Sequence, residues 1–278
     1  MVPSTALTSA EASGYRVELR FYEELNDFLP SRLRKRSFTV DSKEARSVKD
    51  LLESQGVPHT EIDLILVDGD SVGFDTIIDR PVRIAVYPRF ERLDIASVSN
   101  LGRPPLRVIR FVADVHLGKL VRRLRLLGFD CRYNREWDDA MLARISADEE
   151  RILLTRDAGL LKRSIVTHGM FIHSDAPRER VRNVVQKLDL YRLARPFARC
   201  VECNGQLVEI PKEHAQDRVP EQTYRYVDRY LECDTCGKVY WKGTHWKRLE
   251  RLVADALDQS TQRRTSGEQL TSSNLMNS

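Results

Sequence analysis

The spacing of apolar and polar residues changes several times along the chain, and each change marks an element. "YRVELRFY", from Tyr15, alternates side chain by side chain, the period of a half-buried strand. "RSFTVDS" reads as a second strand. In "SVKDLLESQGV", Val48, Leu51 and Leu52 fall on one helical face, Ser47 can cap the start, and Gly56 ends it. "DLILVDGDSV" reads as a strand, an Asp-Gly turn and a return, and "PVRIAVYP" as a closing strand. Strand, strand, helix, strands is the order of a β-grasp fold, expected over residues 15–94.

After a linker over 95–106 the pattern becomes short apolar runs alternating with helical spacing. Val108, Ile109, Phe111 and Val112 make a strand that ends at Asp114. Leu117, Leu120, Val121, Leu124 and Leu127 repeat as a helix, which Gly128 stops as a left-handed cap. "FDCRYN", "RILLT" and "GMFIHSD" are further strands, separated by "DAMLARISADEE" and "AGLLKR" and followed by the helix "PRERVRNVVQKL". Strands alternating with helices predict a parallel, doubly wound α/β sheet over 107–195. A small third unit covers 196–252, a helix end and polar tail follow over 253–278, and residues 1–14 form a polar tail. The fold class is thus α/β, with a β-grasp domain ahead and a metal ribbon behind.

Composition adds little to that division. The 278 residues carry 45 Lys and Arg against 41 Asp and Glu, a net charge of +4, so the placement of the cations matters more than their sum. The N-terminus has no basic start and no continuous apolar core, and no apolar run reaches membrane-spanning length, so a cytoplasmic protein without membrane contact is expected.

The chemistry is expected at the ends of the α/β strands, where open parallel sheets bind ligands. Asp114 ends the first strand and Asp157 follows the third; Asp138 and Asp139 start a helix beyond the second, and Asp175 follows the fourth. Clustered carboxylates repel unless a cation sits among them, and Mg²⁺ or Mn²⁺ takes a few Asp ligands and keeps its waters. Such ions activate water for phosphodiester hydrolysis. The plainer alternative is that each Asp caps a helix. Lys119, Arg122 and Arg123 lie on the helix after Asp114, and Arg156 adjoins Asp157; these suit phosphate contact, or a solvated face. Arg156 alternatively meets only a nearby carboxylate. Cys131, alone in mid-strand, reads as a buried apolar residue.

The other four cysteines form two knuckles, Cys200 with Cys203 and Cys233 with Cys236, the pattern of a closed structural Zn²⁺ site. Gly205 and Gly237 permit the tight turns. Beyond them Trp241, His245 and Trp246 interleave with Lys238, Lys242 and Lys247, which suits base stacking and phosphate contact, or simply packs the ribbon.

"FVADVHLGKLVRRLRLLGFD", "WDDAML", "RILLTRD" and "CGKVYWKGTHW" resemble the Mut-seven C-terminal RNase family, a PIN-like nuclease domain with a zinc ribbon. "ILVDGDSVGFD" and "RIAVYP" resemble the ubiquitin-like domain often fused ahead of it. The resemblance implies a metal-dependent ribonuclease, endonucleolytic in action, with Asp114, Asp139 and Asp157 at the metal and Asp138 and Asp175 as further candidates. It implies RNA as partner, structured RNA such as tRNA or rRNA included. The ubiquitin-like domain is followed by "FERLDI" and not by Gly-Gly, so it reads as an RNA- or protein-docking module. The rival readings are an RNA- or ribonucleoprotein-binding protein that does not cleave, and a protein-interaction adaptor.

Overall fold

The computed structural model describes residues 14–88, 99–101, 106, 108–243 and 246–259. The tails at 1–13 and 260–278, most of the linker, "FERLDI" and His245 lie outside the described residues. The chain divides into two compact units, one of residues 1–105 with 157–171, the other of 106–156 with 172–278.

The first unit is built on a ubiquitin-like sheet. Strand β1 (Tyr15–Phe21) buries Val17, Leu19 and Phe21 on one face, the alternation read from the sequence. It pairs antiparallel with β2 (Phe38–Ser42). A two-residue strand β3 (Arg46–Ser47) leads into helix α1 (Val48–Ser54), where the Ser47 hydroxyl accepts the Asp50 amide at 3.1 Å. Strand β4 (Ile62–Val67) turns back through Asp68 and Gly69, both at positive φ, into β5 (Asp70–Ser71). The short strand β6 (Ile77–Ile78) pairs with β3, and β7 (Val82–Pro88) lies between β1 and β4, giving the order β2-β1-β7-β4-β5. β1 and β7 run parallel, as a β-grasp requires, and Leu51 and Leu52 of α1 complete the core.

One part of this unit was not expected. The turn at His59–Glu61 has three consecutive buried polar residues, His59, Thr60 and Glu61. Buried polar groups need partners. These face the segment 157–171, which carries α4 (Ala158–Leu161) and β11 (Gly169–Phe171). His59 Nε2 lies 2.8 Å from the Val166 carbonyl and Nδ1 2.6 Å from Glu53 Oε1. Glu61 accepts the Phe171 amide at 2.5 Å, and Lys162 donates to the Glu53 carbonyl at 2.9 Å. Phe171 packs edge-on against Phe28, 5.1 Å between ring centres. A Cβ on Gly169 would lie 2.5 Å from the tip of Leu161, so a larger residue there would require that side chain to shift.

In the second unit β8 (Arg110–Ala113), β9 (Asp130–Arg132) and β10 (Ile152–Thr155) are parallel, with β8 in the middle. Every residue of β10 is buried, as in a strand covered on both faces. Val108 was expected in the first strand; it lies two residues ahead of β8 and is 62% exposed. Helix α2 (Gly118–Leu126) begins after a tight turn at Val115–Leu117 and buries Leu120, Val121 and Leu124. It ends at Gly128, φ +90°, where a Cβ would fall 2.1 Å from the Arg195 carbonyl oxygen. Helix α3 (Asp139–Asp148) packs on β8 and β10, while α5 (Pro177–Lys187) packs on α2 through Val181, Val184 and Val185. The ribbon is an antiparallel sheet of β12 (Leu207–Ile210), β13 (Tyr230–Cys233) and β14 (Val239–Trp241), with α6 (Glu221–Tyr226) in its long connection. Helix α7 (Trp246–Leu257) follows and packs on α5.

Replacing Glu61 with Ala removes the acceptor of the half-buried Phe171 amide, a loss of about 1 kcal/mol. Amide hydrogen exchange at Phe171 should quicken several-fold in Glu61→Ala and stay near wild type in Glu61→Gln, which keeps a side-chain oxygen.

Candidate functional site

The four knuckle cysteines converge. Their Sγ atoms all lie within 4.8 Å of one another, with Cys203 and Cys233 at 3.3 Å and Cys200 and Cys236 at 3.8 Å. A tetrahedron with Zn–S bonds of about 2.3 Å has edges of about 3.8 Å, so the donor set fits a Zn²⁺ ion. None is in a disulfide. Burial pushes the Cys200 thiol up, but backbone amides of Cys203 and Glu202 and the Tyr240 hydroxyl, 3.0 Å away, outweigh it and hold it at about 6. Burial and the neighbouring sulfurs push Cys203 the other way, so the thiols compete for the charge that a cation would let them share. Asn204 takes the left-handed position in the first knuckle (φ +78°) and Gly237 in the second (φ +70°). Gly205 is needed for space instead: a Cβ there would meet Cys233 Sγ at 2.6 Å.

The first knuckle is also wired to the α/β sheet. The outward amide of Cys131 on β9 donates to Asn204 Oδ1 at 3.0 Å, and its carbonyl accepts from Arg125 Nε at 3.0 Å. The Arg125 guanidinium also donates to the Val201 and Glu202 carbonyls. It is 4% exposed, and burial draws its pKa down against the pull of the nearby cysteines. Asn204 Nδ2 donates to Asp130, which also accepts from Arg151 at 2.7 Å. Burial raises Asp130, but the bonds from Arg151 and Asn204 outweigh it and hold the carboxyl below its usual range. Arg122, expected at a phosphate, pairs with Glu202 at 2.7 Å. Cys131 is fully buried, its thiol pushed up to about 12 by desolvation.

The carboxylates are less gathered. Among the described residues the four cysteines are the one group of three or more His, Cys, Asp or Glu whose ligand atoms converge. Asp114 follows the end of β8, is 9% exposed, and accepts the Thr155 hydroxyl at 2.8 Å. Asp138 caps α3 through the Met141 amide at 2.7 Å, and Asp139 is exposed at the first helical position. Asp157 caps α4 by accepting the Gly159 and Leu160 amides. Asp175 lies four residues beyond β11, because that strand ends at Phe171, and it pairs with Arg156 at 2.5 Å. The Arg156 guanidinium thus meets a carboxylate in this structure.

Lys119 is exposed on α2. Arg123 is half-buried: its Nη1 is buried without an acceptor among the described residues, and burial, with the like charge of Arg178, draws its pKa down. On the ribbon Trp241 packs against the small core of Ala215, Tyr230 and Val239, while Trp246 stacks on Phe197, 4.1 Å between ring centres. Lys242 sits over the Trp246 ring. No helix among the described residues is long and apolar enough to cross a membrane.

The family model described as the Mut7-C RNAse domain matches residues 109–253, and that described as Mut7-C ubiquitin matches 14–94. No curated protein and no solved structure matches the chain.

Two outcomes follow from the knuckle. The purified protein should carry about one Zn²⁺ by elemental analysis, and Cys203→Ser should lose it, with faster exchange at the Cys131 amide as the knuckle loosens. Asp130, with its folded pKa depressed, contributes stability above its unfolded value of about 3.9, and loses it as pH falls through the folded value. Thermal midpoints across the acid range should therefore fall more steeply in wild type than in Asp130→Asn.

Proposed function

The chain belongs to the Mut7-C RNase family, and on that premise we propose that it is a divalent-metal-dependent endoribonuclease working through carboxylates of the α/β unit. Asp114 carries the reading. It is a buried carboxylate at a strand end, with one hydroxyl donor and no cationic side chain among the described residues as an ion-pair partner. A charge so placed is costly unless a cation joins it. Asp157 stands two residues beyond Thr155, the residue that orients Asp114. Mg²⁺ or Mn²⁺ needs only one or two carboxylates and completes its shell with water, so Asp114 and Asp157 suffice as ligands. Asp139 serves as an outer acceptor, and Asp138 and Asp175 are the further candidates. When bound, the ion supplies an activated water and offsets charge on the phosphoryl oxygens. Thr155 fixes the Asp114 carboxylate by donating to Oδ2. Lys119, exposed on α2, and the half-buried Arg123 beside it hold the RNA backbone. The Cys₄ cluster is closed and takes no part in the chemistry. We place the protein in the cytoplasm, where thiols stay reduced.

A second reading has its own support. Asp138, Asp157 and Asp175 all have structural work as caps or ion-pair partners, which fits an RNA- or ribonucleoprotein-binding protein that does not cleave.

End-labelled structured and single-stranded RNAs, incubated with Mn²⁺, with Mg²⁺ or with neither, decide between them. Asp114→Asn and Asp157→Asn should lower the cleavage rate by about 10²-fold or more, the scale of lost electrostatic transition-state stabilisation, and retain RNA binding. Equal product from wild type and both variants would leave the binding protein.

A further inference from the structure

Beside the zinc knuckles the ribbon carries a groove of about 650 Å³ bounded by the end of α6, strand β14 and the start of α7. Its walls are aromatic. Trp241 and Trp246 are half-buried and backed by the ribbon core and by Phe197, so their rings are held. Gly243 leaves room for the indole edge, since a Cβ there would fall 2.9 Å from Trp241 Nε1. Opposite them Tyr226, the last residue of α6, is 81% exposed. A tyrosine so exposed does not contribute to the core of the ribbon. It offers a π-face beside two others.

The rim is cationic. Lys238 lies over the Tyr240 ring at 5.7 Å and Lys242 over Trp246 at 5.6 Å. Lys247 and Arg248 are exposed on the first turn of α7. Lys238 and Lys242 line the groove and Lys247 and Arg248 lie on the adjoining helical turn; the two lining lysines meet carboxylates, Glu202 at 3.6 Å from Lys238 and Glu250 at 3.3 Å from Lys242. Both are surface pairs that an anion can displace at small cost. Flat apolar faces inside a basic rim match a chain of planar bases joined by phosphates, the arrangement by which proteins hold single strands. In a duplex those faces are stacked and unavailable.

We propose that this groove binds unpaired bases of single-stranded RNA, with Tyr226 as a stacking residue and Lys238 and Lys242 as phosphate contacts. The proposal rests on the reading that RNA is the substrate, and it sets which part of an RNA the ribbon selects.

The test is fluorescence anisotropy of the full zinc-loaded chain with a labelled oligouridylate and a labelled RNA duplex, without Mg²⁺ or Mn²⁺ so that binding is read apart from cleavage. Tyr226→Ala should weaken single-strand binding about tenfold, the scale of one lost base stack, and change duplex binding less than about twofold. Tyr226→Phe should restore it. Lys242→Gln should lower the slope of log affinity against log salt by about 0.7 for the single strand. Wild-type affinity in Tyr226→Ala, equal losses on both RNAs, or no single-strand binding by the wild type would each overturn the groove. Metal-dependent cleavage that still requires Asp114 would then leave the nuclease standing without it.

Discussion

The outward edge of β9 is the constraint on which the second unit turns. A strand at the edge of a sheet presents amides and carbonyls with no neighbouring strand to take them. Here the Cys131 amide and carbonyl are closed by two side chains, Asn204 from the first knuckle and Arg125 from α2. Arg125 reaches on to the Val201 and Glu202 carbonyls, so the same guanidinium closes the sheet edge and fixes the loop between Cys200 and Cys203. The ribbon is therefore not a passive appendage. The cysteine knuckle shapes the loop, the loop positions Asn204, and Asn204 completes the sheet.

The β-grasp domain stands in a comparable relation to the segment 157–171. His59, Thr60 and Glu61 would be a liability inside an isolated β-grasp core, since each carries a polar group removed from water. Val166 and Phe171 offer His59 and Glu61 their partners, and Lys162 adds a bond to the Glu53 carbonyl. That segment begins at Asp157, one of the two acids in the proposed metal shell.

What the sequence made legible follows from the range of each interaction. Local periodicity located β1, α1, the Asp-Gly turn and Gly128, because caps and turns are settled within a few residues. The knuckles were legible because metal ligation imposes spacing. Val108 was misplaced because an apolar residue next to a strand looks like part of it. Arg125 and Asn204 left no local trace: their partners lie six to seventy-seven positions away. The cap made by Asp157 and the pairing of Arg156 with Asp175 were both among the alternatives, and it took the geometry to show that these contacts form.

The bond from the Phe171 amide to Glu61 spans 110 positions of the chain. At synthesis rates of about 5–20 residues per second, that separation is roughly 5–20 s on the ribosome. For that interval residues 59–61 are complete but lack the strand that satisfies them. The first domain to emerge is thus the one that must wait, with its polar turn in water until β11 arrives. Early collapse around Leu19, Leu51 and Ile84 can proceed meanwhile, since those contacts lie within residues already made. Order of synthesis and order of completion run in opposite directions at this one seam.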